Sequence, residues 1–141
     1  MKIVVQYDII LIQEIVDTTE RAINDLLNAV NDYIEDKCKG DARQPYELLL
    51  SPRVGRNNQK EQYAFLFRFE RKYLENFNEK LHIFRCNKVK VSDSVIYPDP
   101  GDIFIREPFI AKFSTRALSI IQHFAIIAIH TQPKVIFLYV K

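Results

Sequence analysis

The stretch "GRNNQKEQYAFLFR", Gly55 to Arg68, sets a polar loop directly against an aromatic strand. From Gln62 onward Tyr63, Phe65 and Phe67 alternate with Ala64 and Leu66, so both faces of the strand are apolar and open to cover. Lys60 and Glu61 stand just where the strand starts. Charges in that place either punctuate a buried element with solvated groups or use it as a rigid mount for one carboxylate.

Working outward, the flanking segments read as further strands with one helix. "DIILI" (Asp8 to Ile12) is a short continuous apolar run, the pattern of a buried strand, with Gln13 and Glu14 at its carboxyl end. Asp17 then has the character of an N-cap, with Glu20 three residues on as a capping-box partner. Ile23, Leu26, Leu27 and Val30 follow at helical spacing, and Lys37, Lys39 and Gly40 supply an end. "YELLL" (Tyr46 to Leu50) is a second strand, stopped by Ser51 and Pro52. After the central strand come "KVKVSDSVIY" (Lys88 to Tyr97), "IFIREPFIAKF" (Ile103 to Phe113) with a break at Pro108, and "HFAIIAIH" (His123 to His130). Strand, helix, then several strands without internal repeats is an α/β or α+β layered arrangement, with helix cover on at least one sheet face. Phe69 to Cys86 is charged and loosely helical, and "KVIFLYVK" (Lys134 to Lys141) is an apolar tail without a turn signal.

Size and charge narrow the function classes. A length of 141 residues fits one domain with a core of its own. A formal charge of +2 predicts no partner by bulk electrostatics, so a nucleic-acid binder of this balance needs a local basic patch. Cys38 and Cys86 match no metal spacing; one disulfide and two thiols both remain open. No run approaches the roughly 18 continuous apolar residues of a membrane span. The opening "MKIVVQYDIILIQEI" is interrupted by Gln6, Tyr7 and Asp8 and reads as a strand of the fold rather than an export signal.

Three polar groups close apolar strands or open them: Glu14, Glu61 and His130. A carboxylate at a strand end can hold Mg²⁺, which takes one or two protein carboxylates and keeps waters for phosphate oxygens. A histidine can move protons during attack on a phosphodiester, and a carboxylate bonded to it fixes its tautomer. Each piece alone is more often solvated punctuation or a structural histidine than part of a site. Composition and spacing stop at an α/β domain with polar strand ends.

At these residues a family resemblance enters. "YDIILIQEI.D", "VGRNNQKEQYAFLFR", "IREPF" and "HFAIIAIHTQP" resemble, in that order, the first half of the deoxyribonuclease I family, within the endonuclease/exonuclease/phosphatase superfamily. The likeness covers Gln6 to Arg68 and Asn87 to Pro133. It implies about one half of the four-layer αββα sandwich of that fold, as a single partial domain over residues 1–141 with an atypical insert 69–86 and a divergent tail 134–141. It implies a divalent-metal-dependent endodeoxyribonuclease using Mg²⁺ and/or Ca²⁺. By the same likeness, Glu14 binds metal, His130 is the proton-transfer group and Glu61 is its partner. Arg56, Asn57 and Arg106 contact phosphates of double-stranded DNA, positioning the duplex without reading sequence. The alternatives are a truncated, inactive relative of such a nuclease and a phosphatase of the same superfamily acting on small phosphoesters.

Departures from the family pattern bear on groove contact: Val16 stands where members carry a basic residue, and Gln59 where they carry a tyrosine. Members are secreted or enter the secretory pathway, which is the localisation the likeness implies, with no membrane partner. In the family two sheets pack face to face, and the expectation for this chain is about one of them. A stranded apolar face of about 400 Å² would correspond to ~10 kcal/mol of unrealised burial at about 25 cal/mol per Å². Self-association through that face is the further expectation.

Overall fold

A computed structural model describes residues 3–37, 45–56, 58, 60–68, 74–77, 80–83, 89–117 and 120–131. After a turn of 3₁₀ helix, Val4–Gln6, come strand β1 (Ile9–Ile15) and helix α1 (Arg21–Lys37). Strands β2 (Tyr46–Leu50) and β3 (Gln62–Arg68) follow, then a short pair, β4 (Leu74–Phe77) and β5 (Lys80–Ile83). The series ends with β6 (Val89–Ile96), β7 (Phe109–Ala117) and β8 (Ile120–Ala128). Two antiparallel three-stranded sheets result, in the order β1-β3-β2 and β6-β7-β8, with β4-β5 pairing by themselves.

The central strand behaves as its composition demands. Every residue of β3 is buried. Because side chains alternate across a strand, Tyr63, Phe65 and Phe67 point to one side and Ala64 and Leu66 to the other. The aromatic side meets Phe109, Ala111 and Phe113 of β7, Val89 of β6 and Ala128 of β8 in one core cluster. Phe113 packs edge-on against Phe65 and Phe67, with ring centroids 5.4 and 6.0 Å apart, and stacks on Phe124 at 5.8 Å. Leu66 packs instead with Val30 and Ile34 of α1, while Ala64 packs with Ile23. The layers are therefore helix, sheet, sheet.

This corrects the expectation of one sheet with a stranded face. Strands β6, β7 and β8 build the second sheet within this same chain, and the aromatic face of β3 is covered by it. On the far side of the second sheet apolar surface stays open, with Val95, Ile121 and Ile127 each half exposed or more. Their register partners Ile110 and Arg116 share that outer face.

Other elements follow the sequence with local changes. Helix α1 starts at Arg21, four residues after Asp17. The Asp17 carboxylate nevertheless caps it, accepting hydrogen bonds from the Ala22 and Thr19 amides and the Thr19 hydroxyl. The amide bond from Ala22, followed by the Thr19 bonds, holds its carboxyl down at about 2. The segment read as one strand from Ile103 is a loop up to Pro108, and β7 begins at Phe109, since proline can donate nothing to a ladder. The loosely helical reading of Phe69 to Cys86 is replaced, over its described residues, by β4 and β5 paired in register Leu74 to Ile83. The tail from 134 and Cys38 and Cys86 lie outside the described residues.

Phe113 is the residue on which both sheets rest. Replacing it with alanine is expected to cost about 3–5 kcal/mol of unfolding free energy, read as a lowered urea midpoint with unchanged slope. A loss below about 1 kcal/mol would show that the sheets do not depend on this contact.

Candidate functional site

Antiparallel pairing brings the polar strand ends together. Ile15 at the end of β1 pairs with Gln62 at the start of β3, so Glu14 and Glu61 share one edge of the first sheet. Phe109 at the start of β7 pairs with Ala128 at the end of β8, so Arg106 and His130 share one edge of the second. The two edges lie over each other. Four residues spread over more than a hundred positions thus form one chain of contacts.

Glu61 is at its centre. It closes the loop from Val54 by two main-chain hydrogen bonds of 2.8 and 2.9 Å, and its side chain is turned inward and only 11% exposed. Inside a protein a carboxylate must be paired. Its Oε1 accepts from Nη2 of Arg106, and its Oε2 lies 3.0 Å from Nδ1 of His130. The other ring nitrogen, Nε2, lies 3.0 Å from Oε1 of Glu14. The sequence Arg106–Glu61–His130–Glu14 is continuous.

The position of Glu14 has a local cause. The register between β1 and β3 shifts between Ile12 and Ile15, a β-bulge, and Glu14 takes φ 61°, the left-handed region. A non-glycine residue there costs on the order of 1–3 kcal/mol and is held only by its surroundings. The bulge re-aims the side chain toward His130. Its carboxylate remains 66% exposed, open to a ligand from solvent.

A second group of residues orders the Gly55 loop. The Gly55 amide donates to Glu107 Oε2 at 2.9 Å. Among the described residues Arg56 donates through Nη2, to Asp102 Oδ1 at 2.6 Å, Asp102 O at 2.7 Å and Phe104 O at 3.4 Å. The Asp99 carboxylate, accepting from the Ile103 and Phe104 amides, shapes the loop that presents Asp102. Asn57 and Gln59 lie outside the described residues.

The structure therefore brings together Glu14, Glu61 and His130 and sets Arg56 on an adjacent loop. Arg106 is buried behind Glu61, which accepts from its Nη2. Sequence reasoning passed over Tyr63, whose hydroxyl accepts the His130 main-chain amide at 3.2 Å. It also passed over Gln13, which donates to Ile129 O at 3.0 Å. The available signal for Tyr63 was its spacing, two residues after Glu61 and hence on the same strand face. Among the described residues, no three His, Cys, Asp or Glu side chains are grouped as a ready metal cage. Nor is any helix there long and apolar enough to cross a membrane.

With this geometry in view, sequence comparison decides the family. Over 136 residues, 96% of the chain is 32% identical to Deoxyribonuclease-1-like 1 of Sus scrofa. Deoxyribonuclease-1 of Bos taurus is 35% identical over 94% of the chain, and that of Gallus gallus 33% over 94%. The chain belongs to the deoxyribonuclease I family. No family model matches it. It spans 35% of the length of the Sus scrofa relative and 40% of the other two. Among the described residues, two three-stranded antiparallel sheets and one α-helix agree with part of a deoxyribonuclease I-like fold.

Two outcomes test the site as built. Arg106→Ala leaves the Glu61 carboxylate buried without its cation and is expected to cost about 3–5 kcal/mol in denaturant unfolding; a loss under about 1 kcal/mol would mean that Glu61 does not need the pair. Burial raises the Tyr63 hydroxyl above its ordinary value of 10.0. The folded chain then holds this proton where the unfolded chain has lost it, so the contribution is fully present below pH 10 and falls away above it. Ultraviolet titration is expected to show one tyrosine ionising late, and Tyr63→Phe to remove that late component.

Proposed function

We propose that this chain hydrolyses phosphodiester bonds of double-stranded DNA as an endodeoxyribonuclease assisted by a divalent cation, Mg²⁺ or Ca²⁺. The observation that carries the reading is the continuous Glu61–His130–Glu14 contact at the meeting edges of two sheets, in a chain related to deoxyribonucleases.

Glu61 accepts a hydrogen bond from His130 Nδ1–H, which leaves Nε2 as the nitrogen able to take a proton from water. Nε2 is occupied by Glu14 in the closed arrangement, and it becomes free when the Glu14 carboxylate turns outward. Glu14 is the residue we assign to the cation: it is one largely exposed carboxylate, which suits an ion that retains most of its waters. The bound cation supplies neutralisation of charge developing on the phosphate.

His130 Nε2 takes a proton from a water molecule whose oxygen attacks phosphorus. The bond from phosphorus to the leaving sugar oxygen breaks, that oxygen takes a proton from solvent, and His130 returns its own proton to solvent. Arg56 holds a neighbouring phosphate through Nε or Nη1, neither of which is engaged among the described residues, and its side chain is 48% exposed. Arg106 has two buried donors, Nε and Nη1, without a hydrogen-bond partner among the described residues, and we assign phosphate oxygens to them as acceptors. Asn57 is assigned to the same backbone contacts by family likeness.

Purified chain is expected to nick supercoiled plasmid in Mg²⁺ with Ca²⁺, and His130→Ala to reduce the rate by about 10²–10⁴-fold with an unchanged circular dichroism spectrum. Folded protein that never nicks would defeat the hydrolytic reading and leave a chain that holds the family's residues without the chemistry. Cleavage of small phosphoesters but not of plasmid would favour the phosphatase alternative.

A further inference from the structure

We infer that Tyr63 is a positioning residue for His130, acting on its main chain while Glu61 acts on its ring. The inference deepens the hydrolytic reading of His130 and rests on it for its kinetic consequence; its structural content stands on the contacts alone.

His130 needs an external hold because of where it lies. The last paired residue of β8 is Ala128, opposite Phe109, so His130 is two residues beyond the ladder that fixes the strand. A histidine on such an overhang is free to shift with its backbone even if its ring is bonded. Its amide is instead bonded to the Tyr63 hydroxyl at 3.2 Å. The preceding carbonyl, on Ile129, is bonded to Gln13 at 3.0 Å. Both tethers come from the opposite sheet, and they hold the overhang against it.

Tyr63 is a stiff anchor. Its ring is almost wholly buried in the core shared by the two sheets. Its amide donates to the Ser51 hydroxyl at 2.9 Å, and its carbonyl accepts the Ser51 amide at 2.9 Å. The hydroxyl is therefore presented from a place where neither ring nor backbone can drift. Glu61 and Tyr63 are two apart on the same strand, so their side chains leave the same face. One strand thus grips His130 at two points, ring Nδ1 and backbone N–H, which sets both its position and its tilt. Burial keeps the hydroxyl neutral, so it remains an acceptor for the amide without adding charge beside the two carboxylates.

Loss of one hydroxyl should consequently be felt at the histidine more than in the fold. A displacement on the order of 1 Å at a reacting group can cost about 10²-fold in rate. The test is Tyr63→Phe, which keeps the ring and removes the oxygen, beside Phe67→Leu, which weakens the same core at the far end of the same strand. We expect Tyr63→Phe to speed hydrogen exchange at the His130 amide by about 10-fold or more and to move its ring ¹⁵N resonances. Plasmid nicking should lose kcat by about 10-fold or more with KM nearly constant. Phe67→Leu should lower the melting temperature and leave the His130 resonances in place. The proposal is overturned if Tyr63→Phe leaves the His130 amide and ring signals unchanged, or changes them no more than Phe67→Leu does. If the unaltered chain does not nick DNA, the hydrolytic reading fails by that result, while the exchange and ring signals still decide whether Tyr63 positions His130.

Discussion

A carboxylate that folding has removed from water governs this site. Glu61 cannot stay charged at the start of β3 unless partners meet it, and the partners it finds are both on the other sheet or its entering loop. Arg106 takes one oxygen and His130 the other. The pairing that makes burial of Glu61 tolerable is therefore also what fixes the imidazole. Stability and chemistry share the same contacts, and a change made for one is felt by the other.

The apolar core makes that pairing geometrically available. Phe65 and Phe67 interlock with Phe109 and Phe113, which sets the distance between the sheets and leaves Glu61, one strand position before Gln62, at the rim where the stack meets solvent. Antiparallel order then does the rest, because the end of one strand and the start of its neighbour always fall on the same edge. The bulge in β1 adds the last adjustment by swinging Glu14 inward at the expense of an unfavourable backbone conformation.

The loops divide into two functions. Residues 99–108 form a brace: Asp99 shapes it, Asp102 tethers Arg56, Glu107 ties down Gly55 and Arg106 supports Glu61. The polar loop beginning at Gly55 is presented by that brace rather than by its own composition.

The sequence by itself determined the elements that depend on local pattern. The alternation in Gln62 to Arg68, the apolar run of "YELLL" and the stripe of α1 each carry their period in neighbouring residues, and they form where that period places them. The candidates Glu14, Glu61 and His130 were legible as polar residues at strand ends, with roles supplied by family likeness. Pairing between sheets was not legible, because strand order and facing depend on contacts between residues far apart, which leave no periodic trace. So the second sheet, the burial of Arg106 behind Glu61 and the hold of Tyr63 on the His130 amide appear only in three dimensions. Whether a charged side chain reaches solvent or a buried partner is decided by what packs over it, and only the tertiary structure contains that.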